Sequence, residues 1–241
     1  MSLPEIVSPE RWREARLALL EKEKAMTRAR DELSAERRGL PMVEMTKDYR
    51  FEGPQGGCGL LDLFEGRLQL IVGHFMFHPE WEDGCPSCSA GADEIADGLR
   101  EHLAIRDTTL AYVSRAPLER IERYKAKKGW TFPWYSSQGS DFNADFNVTL
   151  DSSVKPMEYN FRPAPEAWEQ SEQPFDMPGT SCFLRDGDRV FHTYSSFARG
   201  AEWTGGSYAF LDLTALGRQE DWEEPHGRAE HARGNSPDFA S

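Results

Sequence analysis

The sequence contains no apolar run long enough to span a bilayer, and none that would form the core of a secretion signal. Basic residues are also scarce, because 28 Lys and Arg stand against 41 Asp and Glu and give a formal net charge of -13. A surface of this sign repels nucleic acid and anionic lipid, so neither nucleic acid nor a membrane is a predicted partner. The 241 residues suffice for one sizeable core. We therefore predict a globular, cytoplasmic protein.

Cysteine is scarce as well, with four residues in the chain. Cys85 and Cys88 lie close together in the stretch EWEDGCPSCSAG, separated by Pro86 and Ser87. In a reducing compartment such a pair is more often catalytic or metal-binding than structural. The two other cysteines, Cys58 and Cys182, are expected to be small apolar residues of the core.

Residues 1–40 are predicted to form a helical arm. Ser8 and Pro9 are typical of a helix start, and Gly39 followed by Pro41 is typical of a helix end. Apolar residues recur every seven positions along this stretch, at Trp12, Leu19, Met26, Leu33 and Leu40. Because the stripe is too narrow for a coiled-coil seam, we expect it to pack on the main domain or to join two copies as a homodimer.

Residues 41–219 are predicted to form an α/β domain, with a central mixed sheet flanked by helices. The predicted order is strand, cysteine loop, helix, strand and helix. This order is typical of parallel strands joined by crossover connections. The predicted segments are a strand at 68–77, a helix at 89–103, a strand at 108–114, a helix from Pro117 to Gly129, a long irregular excursion beyond Gly139 and a hairpin at 180–195. The polar residues 220–241 are predicted to be a disordered tail.

The position of Cys85 favours a reactive thiolate. It follows a buried strand and a loop, and Pro86 occupies the place of a first helical residue. The unpaired N–H groups of a helix N-terminus stabilise a thiolate, so Cys85 is predicted to attack and Cys88, one turn later, to resolve the mixed disulfide. Glu82 and Asp83 oppose this effect, and so does Glu80, but we expect the fixed helix dipole to prevail over solvated carboxylates.

A metal site is the alternative reading of the same stretch. His74 and His78 with Cys85 and Cys88 would make a Cys2His2 ligand set for zinc. Residues four apart on a strand lie on one face about 13 Å apart, so His78 is the better ligand. The same His78 could instead accept a proton from Cys85. The residues alone therefore leave three interpretations open: a redox dithiol, a zinc site and a pair of inert thiols.

Several motifs resemble the peroxiredoxin-type branch of the thioredoxin-like superfamily. More closely, the set VSPERWREARLALLEKEK, HFMF, GCPSCS, GWTFPW, SDFNADF and RVFHTYSSFARG resembles a bacterial thioredoxin-like family whose members are described as uncharacterised or as predicted dithiol-disulfide oxidoreductases. The resemblance covers roughly residues 8–222. It implies an opening hairpin, a lead-in helix, a strand, the cysteine helix, and then a further strand, helix and strand.

The resemblance also implies roles for individual residues. Cys85 would be the nucleophile and Cys88 the resolving cysteine, acting on a disulfide-containing protein or a small thiol substrate without a cofactor or metal. Pro178 would be the counterpart of a cis-proline facing the dithiol, although Gly179 separates it from Thr180.

A thiol peroxidase is the further alternative that this branch raises. Its peroxide site requires Thr or Ser three residues before the cysteine, where this chain has Glu82, and a later Arg. Arg115 is the candidate for that Arg, but we expect it to be a solvated surface residue. Dithiol exchange is therefore favoured over peroxide reduction.

Aromatic residues around the dithiol are the remaining site candidates. They could line an apolar substrate face or pack in the core, and they are Trp81, Trp130, Phe132, Trp134 and Phe142. The full set of predicted supporting residues is His78, Trp81, Pro86, Ser87, Pro178 and Thr180.

Overall fold

The computed structural model describes residues 4–204 and residue 206. These residues fall into two compact units, with residues 4–41 in one and residues 42–204 and 206 in the other. Within this part of the chain, every helix is too short or too polar to cross a membrane. The predicted tail at 220–241 lies outside the described residues.

The first unit contains the long helix α1, Pro9–Arg38. Its start is capped by Ser8, whose side chain accepts the N–H of Arg11 at 3.3 Å, and it ends at the cap residue Gly39. The predicted start and end are thus confirmed. Along the predicted stripe, Leu19 is 50% exposed and Met26 is 65% exposed. Homodimerisation through this face and the domain boundary after residue 40 stay predictions.

The second unit contains the remaining elements. Its helices are α2 Pro86–Asp93, α3 Asp97–Ala104, α4 Leu118–Lys128, α5 Phe142–Asp145 and α6 Glu166–Glu169, with a 3-10 turn at Asp62–Phe64 and a longer 3-10 helix at Ala198–Thr204. Its strands are β1 Val43–Glu44, β2 Arg50–Gly53, β3 Gly56–Gly59, β4 Gln69–His74, β5 Thr108–Ser114, β6 Trp134–Ser136, β7 Thr149–Leu150, β8 Glu158–Tyr159, β9 Arg162–Pro163, β10 Phe175–Asp176, β11 Gly179–Asp186 and β12 Arg189–Phe197.

The main sheet has eight strands in the order β1-β12-β11-β4-β5-β6-β2-β3. Strands β4, β5 and β6 run parallel, whereas β11 is antiparallel to both β4 and β12. The β2–β3 hairpin, the 3-10 turn, β4, the cysteine helix α2, β5, α4 and β6 follow in the order that the resemblance implied. The predicted thioredoxin-like mixed sheet with flanking helices is therefore confirmed.

This topology determines where the dithiol lies. Parallel strands β4 and β5 end at one edge of the sheet, and the cysteine loop follows β4 at that edge. Because β11 is antiparallel to β4, its first residue Gly179 pairs with His74, the last residue of β4. The segment before β11 and the cysteine loop are thus neighbours in space.

Two apolar clusters hold the sheet. One contains Leu70, Val72 and Phe142, and the other joins α2 and α4 to the sheet through residues such as Phe77 and Ile121. Each of these five side chains is at most 1% exposed. Burying a side chain of this size contributes about 1.5–3 kcal/mol, so the elements that hold the cysteines belong to the stable core.

The structure differs from the prediction in the segment after the dithiol. The predicted helix at 89–103 is two helices, because α2 ends at Asp93 and α3 begins at Asp97. The Asp93 carboxylate accepts the indole N–H of Trp130 at 2.9 Å and the ammonium of Lys128 at 3.1 Å. These contacts tie the end of α2 to the end of α4, where the chain turns.

A buried polar chain crosses the sheet at the end of β4. The His74 ring bonds Ser181 Oγ at 2.8 Å, Ser181 bonds Ser195 Oγ at 2.8 Å, and Ser195 bonds the His192 ring at 2.8 Å. Burial lowers the pKa of His74 to about 3, and that of His192 in the same direction. His74 is therefore neutral and committed to the core.

Candidate active site

The loop before α2 places Cys85 at the helix start. Cys85 is the N-cap of α2, and Pro86 is its first residue, as predicted. The backbone N–H of Cys85 donates to Met76 O at 3.0 Å. Gly84 permits this approach, because a Cβ there would lie 2.5 Å from Cε1 of Phe75. The first turn of α2 therefore begins directly at Cys85, where backbone N–H groups stabilise a thiolate.

The two thiols are free and differ in acidity. A hydrogen bond from the Cys88 thiol is the main cause that lowers the pKa of Cys85 to about 6, against the opposing effect of burial. The backbone N–H groups of Cys88 and Ser87 and the Ser87 side chain lower it further. Conversely, the bond to Cys85, burial and the negative charge of Cys85 raise the pKa of Cys88 far above its ordinary value. Cys85 is the thiolate at neutral pH, and Cys88 keeps its proton.

Basic residues of α4 offset the acidic loop before the dithiol. Arg120 Nη1 lies 2.9 Å from the Glu82 carboxylate, and Lys127 Nζ lies 2.6 Å from that of Asp83. Arg120 also donates to the backbone carbonyl of Trp81 at 2.8 Å. Exposed pairs add little stability. They do, however, offset two of the three charges that were expected to oppose a thiolate at Cys85.

Ser89 and Tyr124 hold the first turn of α2 in place through two buried hydrogen bonds. Ser89 Oγ donates to the carbonyl of Cys85 at 2.9 Å, which leaves it to accept the Tyr124 hydroxyl at 2.8 Å. Ser89 is 2% exposed and Tyr124 is 7% exposed. Because fully satisfied buried hydrogen bonds rigidify the groups that form them, they fix the position of the Cys85 backbone and so of its sulfur.

A buried ion pair joins Arg115 and Asp176 within electrostatic reach of Cys88, and the burial of Arg115 contradicts the prediction. Arg115 was expected to be solvated, but its Nε donates to Asp176 Oδ1 at 2.6 Å, with 15% of the Arg side chain and 3% of the Asp side chain exposed. Thr149 also donates to Asp176 Oδ1, at 2.7 Å. The second oxygen, Oδ2, is buried without a hydrogen-bond partner in the described part of the chain. The negative charge of Asp176 is one of the causes that raise the pKa of Cys88.

Pro178 and Thr180 lie where the sheet topology brings β11 to the dithiol edge. Thr180 pairs with Gly73 of β4, and the carbonyl of Pro178 accepts the Tyr159 hydroxyl at 2.7 Å. The expected cis-proline is wrong at this position. Among the described residues the cis peptide precedes Pro174, four positions earlier.

His78 and Trp81 lie in the loop between β4 and α2. His78 Nδ1 accepts the backbone N–H of Glu80 at 3.2 Å, and its ring centroid is 6.0 Å from that of Trp81. Trp81 is 44% exposed, so it is available to a substrate. The described hydrogen bond of His78 thus orders the loop rather than reaching Cys85.

The zinc alternative is not supported by the arrangement of these side chains. Within the described residues, no group of three or more His, Cys, Asp or Glu could hold a metal ion. His74 turns into the core toward Ser181, and His78 bonds its own loop. The Cys2His2 set suggested by the spacing is therefore not assembled.

Most of the aromatic residues expected near the substrate belong to the core. Phe132, Trp134 and Phe142 are each 0% exposed, and Trp130 packs against the cluster that contains the first two. The rings of Trp130, Phe132 and Trp134 also pack against one another, with centroids 5.3 to 6.1 Å apart. Trp81 alone of the five offers a substantial exposed ring.

The acidity of Cys85 predicts a pH profile for its alkylation. We expect the iodoacetamide rate at Cys85 to rise through pH 6 and to level off above about pH 7, because only the thiolate reacts. Cys58 is the internal control: burial raises its pKa, so its rate should still climb at pH 8. Peptide mass spectrometry separates the two sites. A Cys85 rate that rises tenfold per pH unit between pH 7 and 8 would contradict the prediction.

Comparison with known proteins assigns the family. The sequence profile described as "Bacterial protein of unknown function (DUF899)" matches residues 1–234. The chain belongs to the DUF899 family. The predicted kinship with a bacterial family of uncharacterised proteins is thereby confirmed, and a comparison with curated proteins gives no match.

Solved structures similar to this DUF899 member include two peroxiredoxins. Peroxiredoxin Q of Xanthomonas campestris is 13% identical, with 68% of this chain and 91% of that chain covered at a TM-score of 0.47. Peroxidoxin BcpB of Mycobacterium tuberculosis is 16% identical, with 68% and 90% covered at a TM-score of 0.41.

Proposed function

We propose that the protein is a thiol-disulfide oxidoreductase that uses Cys85 and Cys88. The observation that carries this is the placement of the two thiols: Cys85 is the N-cap of α2, and Cys88 lies in the first turn of that helix. The hydrogen bond between them lowers the pKa of Cys85 to about 6 and raises that of Cys88. A dithiol with one thiolate and one protected thiol is suited to exchange in two ordered steps. The substrate is a disulfide of a polypeptide or of a small molecule.

In the first step the Cys85 thiolate attacks one sulfur of the substrate disulfide. The sulfur–sulfur bond of the substrate breaks, a bond from Cys85 to the attacked sulfur forms, and the other substrate sulfur leaves as a thiolate that takes a proton from water. The Ser87 and Cys88 N–H groups that stabilise the Cys85 thiolate also hold this sulfur at the helix start.

In the second step Cys88 gives up its proton and attacks Cys85. The Cys85–Cys88 disulfide forms, and the second substrate sulfur leaves as a thiolate. The substrate has gained the two electrons that the two cysteines have lost. Of the two protons on the product thiols, one comes from Cys88 and the other from water. An external thiol or dithiol must then reduce the protein disulfide to complete a cycle. Cys88 stays protonated until this step because bonding to Cys85 and burial raise its pKa.

Peroxide reduction gains no specific support from the site. Glu82 occupies the place of the expected Thr or Ser and pairs with Arg120. Arg115, the candidate for the positive charge at a peroxide, is bonded to Asp176. Both groups are therefore engaged elsewhere.

A redox titration tests the proposal. The purified protein is equilibrated in buffers of defined dithiothreitol ratio, free thiols are alkylated, and the alkylated peptides are quantified by mass. We expect one reversible two-electron transition confined to Cys85 and Cys88, with Cys58 and Cys182 acting as internal controls that stay reduced. Two thiols that remain reduced across the whole range would contradict the oxidoreductase and favour a binding module.

A further inference from the structure

The hairpin β8–β9 carries an exposed aromatic side chain on a strained backbone. Glu158–Tyr159 pairs with Arg162–Pro163, and the two residues between them, Asn160 and Phe161, have φ angles of 53° and 60°. Two-residue turns with positive φ at both positions favour Asn followed by Gly. Asn160 suits its position, but a bulky residue such as Phe161 is strained there.

Burial does not explain this Phe. The Phe161 side chain is 69% exposed, and its described aromatic contact is edge-to-face with Phe197, at 5.5 Å between ring centroids. A strained residue that keeps a large apolar ring in solvent is a candidate for a functional contact rather than a packing contact.

The hairpin lies at the same edge of the sheet as the dithiol. Tyr159, in the first strand of the hairpin, donates its hydroxyl to the carbonyl of Pro178 and accepts the N–H of Ala198 at 3.0 Å. Phe197, the ring that Phe161 contacts, packs over Gly179, where a Cβ would lie 2.7 Å from its Cδ1. Phe161 thus reaches the edge where β11 begins.

A short path connects that edge to the two cysteines. Gly179 pairs with His74 at the end of β4, and Met76, two residues later, accepts the N–H of Cys85. Burial is the main cause that raises the pKa of Tyr159, and ionisation of Cys88 would raise it further, so Tyr159 of the hairpin lies within electrostatic reach of Cys88. Trp81 offers a second exposed ring four residues before Cys85.

We propose that Phe161 is a specificity-determining residue, which contacts an apolar side chain beside the disulfide of a polypeptide substrate. This deepens the proposed function and rests on it. A small disulfide needs only the sulfur of Cys85, whereas an extended segment around a polypeptide disulfide continues past the dithiol. Its apolar side chains then cover Phe161 and remove apolar surface from water. The preferred substrate class is accordingly a polypeptide disulfide with apolar neighbours.

The test uses the full-length protein, reduced and freed of reductant, with three disulfide probes. Two are synthetic peptides that contain one disulfide and differ only in flanking residues, Leu and Phe in one and Ser in the other. The third probe is 2-hydroxyethyl disulfide. We expect the protein to reduce the apolar peptide about tenfold faster than the Ser peptide, as kcat/KM, with the difference mainly in KM.

The variant Phe161→Gly should lose this preference and keep its rate with 2-hydroxyethyl disulfide. Its Tm should not fall, because Gly accepts the positive φ without strain. The matched control is Val154→Ala, since Val154 is an apolar residue of the same excursion that is 70% exposed. It should keep the preference. Phe161→Leu, which retains an apolar side chain, should keep part of it.

The outcomes separate this inference from the proposed function. Equal reduction of both peptides by the unaltered protein, or an undiminished preference in Phe161→Gly, would overturn the role of Phe161 alone. An equal loss with all three probes, together with a lower Tm, would also overturn it, because Phe161 would then be structural. Failure of the unaltered protein to reduce any probe would instead count against the oxidoreductase itself.

Discussion

Replacing Cys85 with Ser should abolish disulfide reduction, with a loss of at least about 10³-fold, as expected when a covalent nucleophile is removed. Cys88→Ser should leave the first step intact and stop at the mixed disulfide, because the resolving thiol is missing. The measurement is a single-turnover reaction of the reduced protein with 2-hydroxyethyl disulfide, followed by intact and peptide mass. Cys88→Ser should accumulate one adduct, and that adduct should map to Cys85.

The other two cysteines supply matched controls for this experiment. Cys58 and Cys182 are also partly buried thiols that form no disulfide, and neither lies at a helix start. Cys58→Ser and Cys182→Ser should reduce the probe at the unaltered rate. An unchanged rate in Cys85→Ser, or an adduct of Cys88→Ser that maps to Cys58 or Cys182, would show that a different thiol reacts.

The placement of Cys85 could be predicted because its signals are local. Pro86 suits the first turn of a helix and has no N–H to donate within a central strand, and the apolar residues of β4 come shortly before the loop. The same holds for α4, which follows Pro117 and ends at Gly129, with a φ of 70°. Such features depend on residues within a few positions, so a single sequence is enough to identify them.

The electrostatic surroundings of the dithiol could not be predicted, because its partners are distant in sequence. Asp83 and Lys127 are 44 residues apart, and Arg115 and Asp176 are 61 apart. From the sequence, the loop before Cys85 showed only its acidic residues. The fold adds the compensating cations of α4, and it also turns Arg115 away from solvent and into an ion pair.

The order proposed for the two chemical steps follows from the hydrogen bond that the two thiols share. The Cys88 thiol donates to the Cys85 thiolate, so the same bond makes Cys85 more acidic and Cys88 less acidic. When Cys85 enters a mixed disulfide, it loses its negative charge. The hydrogen bond to the Cys85 thiolate and the repulsion from its charge then no longer raise the pKa of Cys88, and burial is the main cause that remains. Cys88 then loses its proton more readily, at the stage when it must attack.

The second large effect is expected at Asp176, whose removal should cost stability and also change Cys88. In Asp176→Asn, Arg115 stays buried without its counter-charge, a situation that typically costs about 3–5 kcal/mol. The new amide also places a donor where Oδ2 is buried without a partner. Urea unfolding should therefore show a loss of about 3 kcal/mol or more. The pKa of Cys88 should fall, because a nearby negative charge is gone.

A double variant separates the two consequences. In Arg115→Met with Asp176→Leu, both charges are replaced by apolar side chains of similar size, and most of the lost stability should return. The pKa of Cys88 should nevertheless stay lowered, because the Asp176 charge is still missing. Alkylation of Cys88 against pH, in a Cys85→Ser background for every variant, measures this shift. If the Cys88 profile is unaltered in Asp176→Asn and in the double variant, the ion pair supports only the fold and the electrostatic link between Asp176 and Cys88 is wrong.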